Sequence, residues 1–463
     1  MDLLKRYTIE ELNKGYLNKD FSPVEITKMY LEEIKEKNTT YNAFITITEE
    51  NALKQAKYLE AKMMTTNDLS MLFGIPISYK DIIETKNILT TNGSFIDRNY
   101  VSKLNAPIVN TLNSQDTIML GKNNLHEFAF GVTSNNPHYG AVRNPWNIEY
   151  TAGGSSGGSA AAVSANQSII SIGTDTGASI RVPAASCGVV GLKATKGRVS
   201  TQNVTGISWT LDHVGPIAAN MKDLAIVSET ILNEPFVEEM SNYNLKGLKI
   251  GVPKNYFNEK VDEESYTIFQ KSLTQLEELG AILIEVEIPN INDNSIIGTT
   301  IALSEAYYLH RNNIENKISE YGEDVRQIML ASNSFSAHQY ITALKRIKEY
   351  EIEFNRLFTK IDVLATLTMP SPPQRIGIDE IIIGGKTEDL FGYMCRNNYI
   401  FNMIGFPAVS LPCGLTKNNL PVGLQLVSFP YNEQILFNVG YSFESSFLKG
   451  FYEKRDTSLL ALE

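Results

Sequence analysis

Two serine-bearing, glycine-rich segments and one lysine closing an apolar run hold the side chains best suited to nucleophilic chemistry. The first segment is Gly153-Gly154-Ser155-Ser156-Gly157-Gly158-Ser159. As a flexible linker it would need loose surroundings, but Ala160-Ala161-Ala162-Val163 follows at once and opens a helix. Glycines before a helix let backbone N–H groups close around an anion or a polar side chain. The same residues satisfy G-x-S-x-G, a nucleophile elbow with Ser155 or Ser156 as nucleophile. That reading needs a strong apolar strand before it, and Asn144 to Thr151 is a poor one. It also needs an acid and then a histidine downstream, and His213, His310 and His338 stand in no telling context. A phosphate-binding loop is weaker still, because no Gly-Lys-Ser/Thr closes the segment.

The second segment, Gly173-Thr174-Asp175-Thr176-Gly177-Ala178-Ser179-Ile180-Arg181, ends an apolar run with small residues and a serine. Small residues leave the backbone amides of Thr176, Gly177, Ala178 and Ser179 open to a ligand, which is what an oxyanion hole requires. A tight turn with a capping serine explains the stretch alone equally well. Each residue has such an ordinary reading: Lys80 as a surface lysine at a strand end, Ser155 as a loop hydrogen-bonder, Asp175 with Arg181 as a bracing ion pair, and Cys187 as core.

Positioning elements can be read around these residues. Ser22-Pro23-Val24-Glu25 forms a capping box with proline at the first helical position, and the first 65 or so residues read as helices with a short strand, Ala43 to Thr48. Apolar runs of strand length follow at Leu72 to Tyr79, which delivers Lys80, and at Thr117–Leu120, Ser168–Gly173 and Cys187–Leu192. Further runs are Gly247–Val252, Ala281–Ile288, Asp362–Thr368, Ala408–Cys413 and Val422–Val427. Amphipathic stretches such as Glu264–Leu279 and Ser336–Phe358 lie between them. Strands alternating with helices predict an α/β fold with a largely buried sheet. The chain reads as a single domain over 1–463, with a helical elaboration over about 1–65, a core over about 66–230 and a C-terminal α/β portion over about 240–463. A boundary near residues 230 to 245 is the alternative.

Composition narrows the partners. The 463 residues carry a net charge of −11 and no basic run, which argues against nucleic acid or an anionic membrane as the main partner. No apolar run approaches the roughly 20 residues of a membrane span. Met1 to Asn18 has no apolar core of a leader peptide. Three scattered cysteines, Cys187, Cys395 and Cys413, suggest neither a disulfide framework nor a zinc site. A soluble, cytoplasmic protein is expected.

The two serine segments, with Lys80 before them, resemble the amidase signature family. Gly74-Ile75-Pro76-Ile77-Ser78-Tyr79-Lys80-Asp81 looks like its lysine strand. Gly121 to Gly131 and Arg143-Asn144-Pro145-Trp146 look like its next blocks, and Gly153 to Val163 with Gly173 to Thr195 cover the signature. Asp212-His213-Val214-Gly215-Pro216, Asn402 to Gly414 and Pro421 to Val427 match later blocks, so the likeness runs along nearly the whole chain. The resemblance implies a large mixed β-sheet covered by helices on both faces. It implies a catalytic triad of Ser179 as nucleophile, Ser155 as bridging serine on a cis peptide, and Lys80 as base. The serine spacing, 179 − 155 = 24, is also similar. Ala178, Ala152 and Ala194 depart from it, standing where glycine, proline and proline are common.

Such a triad cleaves an amide to acid plus ammonia or amine through an acyl-enzyme, with no metal or organic cofactor. Lysine acts as a base only when neutral, yet its free pKa is about 10.4. Burial away from carboxylates lowers it, and Asp81, the next residue on a strand, points to the opposite face. The substrate expected is a small-molecule amide. Phe128, Phe130, Gly131 and Ser156 are candidate substrate contacts, with Tyr139, Phe391, Tyr393 and Phe401 as further aromatic wall candidates. An alternative is the A subunit of the glutamyl-tRNA(Gln) amidotransferase, releasing ammonia from glutamine. Tyr321 to Leu330 resembles that subunit, whereas Thr387 to Ile404 lacks its acidic, threonine-containing pattern. A second alternative is a catalytically inactive binding or scaffold protein. A homodimer is the assembly expected for a free-standing amidase, and partner subunits for the amidotransferase reading.

Overall fold

Local signals set the N-terminal helices. Thr8 with Glu11, and Ser22 with Glu25, form capping boxes that start the helices Ile9–Asn18 and Pro23–Tyr41. A third helix, Glu49–Met63, follows the first strand. The structure is a computed structural model that describes residues 6–66, 68–241 and 243–458. Met1 to Lys5, the start of the Met1–Asn18 stretch, lie outside the described residues.

The centre is an eleven-stranded mixed sheet. In chain order its strands are β1 (Phe44–Ile47), β2 (Pro76–Lys80), β3 (Ile118–Asn123), β4 (Ile170–Asp175), β5 (Val190–Lys193), β6 (His213–Ala218), β7 (Lys249–Pro253), β8 (Ile282–Val286), β9 (Val363–Leu367), β10 (Ala408–Leu415) and β11 (Pro421–Ser428). Their spatial order is β1-β3-β2-β4-β6-β5-β10-β11-β9-β7-β8. β2 runs parallel to both β3 and β4, and β7 to both β8 and β9, while the middle of the sheet is antiparallel. The fold is α/β, with helices packed over the sheet: Gly157–Ser164 lies against β4, and Arg181–Cys187 against β10 and β11. No helix among the described residues is long and apolar enough to cross a membrane.

Ten of the strands fall on the expected apolar runs. β6 does not, and it lies between β4 and β5 near the middle of the sheet. Gly215-Pro216 breaks its pattern, since proline cannot donate to a ladder. The structure accommodates this because the β6–β5 pairing covers only Ile217 and Ala218, past the proline.

The register of β2 beside β4 matters most for function. Tyr79 pairs with Ile172, so Lys80 and Thr174 emerge together where both strands end. The helix Gly157–Ser164 fits above this point because its first two residues are glycines. A Cβ on Gly158 would lie 2.3 Å from the Asn124 carbonyl oxygen and 2.5 Å from that of Ala43. Both obstacles are backbone, so Gly158→Ala is expected to destabilise the fold by about 1–3 kcal/mol. Urea denaturation followed by circular dichroism checks this, with a lowered midpoint and an unchanged slope as the expected result.

Candidate functional site

Lys80 is the last residue of β2 and is 0% exposed. Its Nζ donates to Ser155 Oγ at 2.7 Å and to Thr174 Oγ1 at 2.8 Å. Asp81 is turned away, as strand alternation requires. It faces Lys122 Nζ at 3.1 Å and accepts from the Thr91 N–H and hydroxyl at 2.9 and 2.6 Å. Lys80 therefore has hydroxyl partners but no carboxylate in contact. Burial dominates and pushes its pKa down to about 7, against a weaker upward pull from Asp175 and Asp212.

Ser155 follows a cis peptide bond from Gly154. Its loop is pinned on all sides. The Ser155 carbonyl accepts from the His126 N–H and the Ser134 hydroxyl, each at 3.2 Å. Gly153 has φ +73°, and a Cβ there would meet Ser186 Oγ at 2.6 Å, so only glycine fits.

Ser179 sits on the turn between β4 and the helix Arg181–Cys187, 8% exposed. Its carbonyl accepts from the Ser156 N–H at 3.3 Å, which ties the two serine segments together. The N–H groups of Gly177, Ala178 and Ser179 have no hydrogen-bond partner among the described residues. The turn is held from below. Asp175 accepts from Arg181 Nε at 3.0 Å, Arg181 Nη2 at 2.9 Å and the Ile180 N–H at 3.1 Å. Asn402 donates to the Asp175 carbonyl and carboxylate at 2.8 and 2.9 Å. Burial alone would raise the Asp175 carboxyl; Arg181 and Asn402 hold it well below the usual carboxylate range. Beside it, burial lifts Asp212 to about 6 although Thr176 Oγ1 donates to it at 2.6 Å.

A cavity of about 310 Å³ opens over Ala178 and Ser179. Phe130, Phe391, Cys395 and Tyr399 form much of its wall. Tyr399 lies against the turn, where a Cβ on Gly177 would meet its ring at 2.7 Å. An apolar cavity with a few convergent polar groups is the usual form of a small-molecule site.

The structure thus brings Lys80 to Ser155, and Ser179, Thr176, Gly177, Ala178 and Phe130 to one cavity. Other candidates lie elsewhere. Phe128 packs edge-on against His310 at 4.8 Å, outside this cavity. Gly131 backs onto the His126 ring. The Ser156 hydroxyl donates to the Thr174 carbonyl and accepts from its N–H, facing the strand. The Tyr139 carbonyl accepts from Asn42, Tyr393 donates to the Lys260 carbonyl, and Phe401 stacks on Phe257. Cys187 is buried, with its thiol pushed up. Sequence reasoning missed Thr174, Tyr399 and the bracing role of Asn402. Thr174 was readable in principle as a polar residue at the end of an apolar strand beside the lysine strand. Among the described residues no cluster of His, Cys, Asp or Glu is arranged to hold a metal ion.

Removing the Arg181 side chain would leave Asp175 buried and unpaired. Arg181→Ala is expected to destabilise by about 3–5 kcal/mol, read from the denaturation midpoint, and Arg181→Lys to recover only part because it lacks the planar fork.

Comparison with known proteins adds to this geometry. A family model described as Amidase matches residues 25–437. The A subunit of the glutamyl-tRNA(Gln) amidotransferase of Bacillus cytotoxicus is 35% identical over 479 residues, covering 95% of this chain and 97% of the relative. The structure of the same-named subunit from Thermotoga maritima is 31% identical, with a TM-score of 0.80 over 96% of each chain. A chain from a vestigial protein complex, described for the evolutionary origins of an s-triazine catabolic enzyme, is 27% identical. It has a TM-score of 0.91 over 95% of this chain and 99% of that one.

Proposed function

The chain belongs to the amidase signature family and is an amide-hydrolysing enzyme, and we propose that it works through an acyl-enzyme on Ser179, with Lys80 as base and Ser155 as proton relay. The observation that carries this reading is the 2.7 Å contact between a fully buried Lys80 and Ser155. Burial gives this amine a pKa of about 7, so a large fraction is neutral near pH 7, which is not so for an ordinary lysine. In this scheme Ser179 Oγ adds to the amide carbonyl while its proton passes to Ser155 and that of Ser155 passes to Lys80. The N–H groups of Thr176, Gly177, Ala178 and Ser179 receive the developing oxyanion. Collapse breaks the C–N bond, and the proton returns along the same path to the leaving nitrogen. Water, deprotonated by the same relay, then adds to the ester and releases the acid and Ser179.

Relatedness favours the amidotransferase setting over a free-standing hydrolase. The Bacillus cytotoxicus relative matches over nearly its whole length, so the A-subunit reading stands ahead, with glutamine as ammonia donor and partner subunits completing the assembly. One observation keeps a free-standing amidase, alone or as a homodimer, in view: the largely apolar wall of the cavity beside Ser179. An inactive scaffold role is opposed by the retention of Lys80, Ser155 and Ser179 and by the contact of Lys80 with Ser155. We place the protein in the cytoplasm, as one unit built on a single sheet whose strands run from residue 44 to 428. Affinity purification of the tagged chain from its own cells separates the two settings. Stoichiometric partner subunits support the A-subunit reading; an isolated chain or homodimer that turns over an amide supports the hydrolase.

The roles carry their own test. Ser179→Ala is expected to abolish turnover, Lys80→Ala to lower kcat/KM by roughly 10⁴ or more, and Ser155→Ala to have a similar or milder effect. Mass spectrometry is expected to find the acyl adduct on Ser179, and an adduct on Ser155 or Ser156 would replace this scheme with the elbow. The base works in its neutral form, so kcat/KM is expected to rise with pH through one ionisation near 7. A limb that survives unchanged in Lys80→Ala would assign the base to another group.

A further inference from the structure

We propose that the cavity beside Ser179 takes an uncharged, apolar acyl group, aryl or short alkyl, rather than the zwitterionic end of an amino-acid amide. This inference rests on the acyl-enzyme reading above and departs from the glutamine-using setting in favour of the free-standing amidase that the apolar wall keeps in view. When ammonia is the leaving group, everything else in the substrate belongs to the acyl part, so the space beside the nucleophile must hold it.

Two polar side chains of the wall are already committed. The Thr176 hydroxyl donates to Asp212. The Thr299 and Tyr399 hydroxyls bring no charge to the wall. Asp389 accepts from the Gly392 N–H at 2.7 Å as the cap of the helix Leu390–Cys395. Among the described residues lining the cavity, Asp389 alone is charged at neutral pH, and it is an exposed anion. No lysine or arginine lines the cavity to receive a carboxylate. An α-carboxylate entering here would lose its water without gaining a cation, and the exposed Asp389 could pair only with the α-ammonium, leaving the carboxylate without a partner. The remaining wall is built from Phe130, Val132, Leu303, Ile328 and Phe391 together with the neutral thiol of Cys395. Apolar surface of this kind favours an apolar guest in proportion to the area it covers. The volume of about 310 Å³ lies at the small end of ligand sites, which suits a single ring or a short chain.

A panel of primary amides tests this, because the leaving group is then ammonia throughout. Ammonia release is measured for acetamide, hexanamide, benzamide and glutamine, and a fluorophosphonate probe reports in parallel whether Ser179 is reactive. The expected result is labelling at Ser179 and a kcat/KM for hexanamide or benzamide about 100-fold above that for glutamine. Cys395→Phe, which fills the cavity, is expected to lower kcat/KM for the two larger amides at least tenfold more than for acetamide. Labelling at Ser179 together with glutamine as the preferred substrate would overturn this inference and leave the acyl-enzyme reading standing. An equal fall for all amides in Cys395→Phe would also overturn it. Failure of the probe to label Ser179 would instead overturn the acyl-enzyme reading on which it rests.

Discussion

Everything in this site depends on a buried amine that has hydroxyl partners and no carboxylate in contact. Lys80 ends β2 inside the protein, with Ser155 and Thr174 as its neighbours. A primary amine in that place prefers to be neutral, because burial penalises the ammonium form and no adjacent anion compensates. The fall from 10.5 to about 7 corresponds to about 5 kcal/mol between the two protonation states. The folded pKa is the lower one, so the penalty to folding is full below pH 7, shrinks as pH rises from there, and is gone above about 10.5. A stabilising lysine would behave in the opposite way. The protein thus carries a residue that weakens the fold at neutral pH, as is common for groups tuned to catalysis.

The charges that could spoil this arrangement are each engaged elsewhere. Asp81 is drawn to the far face of its strand by Lys122 and Thr91. Asp175 is taken up by Arg181, the Ile180 N–H and Asn402. The second arrangement does two things together: it keeps a carboxylate off Lys80, and it fixes the turn whose residues line the cavity. The same network explains how distant parts of the chain cooperate. Asn402 belongs to the helix Tyr399–Met403, which also places Tyr399 over Gly177. The C-terminal portion therefore shapes the turn that the central portion supplies.

Much of this was legible in the sequence, for reasons that differ by element. Strands on largely apolar runs, such as β4 and β11, read directly because burial on both faces needs no alternation. The capping box at Ser22 fixed a helix start because its signal is local. β6 was illegible because Gly215-Pro216 denies it the pattern, and only its neighbours reveal why proline is tolerated. Lys80, Ser155 and Ser179 could be chosen jointly, since each stands in a segment of unusual composition. The cavity wall could not be chosen that way. Its residues come from four helices and several loops, and in sequence Leu303, Ile328 and Cys395 look like any core residue. Phe128 shows the converse. It was a fair aromatic candidate beside Phe130, yet the backbone turns through φ +47° at Phe128 and +66° at Ala129, sending neighbouring rings to different cavities.

The decisive property is a Lys80 that ionises near pH 7 because of where it is buried, and direct titration of its side chain tests this without reference to any substrate. Nuclear magnetic resonance of protein labelled with ¹³C at the lysine ε-carbon, with Lys80 assigned by comparison with Lys80→Met, follows its ionisation alone. A single midpoint near 7 is predicted, far below that of the exposed lysines. A Lys80 signal that stays in the ammonium form up to about pH 10, where an ordinary lysine begins to titrate, would contradict it.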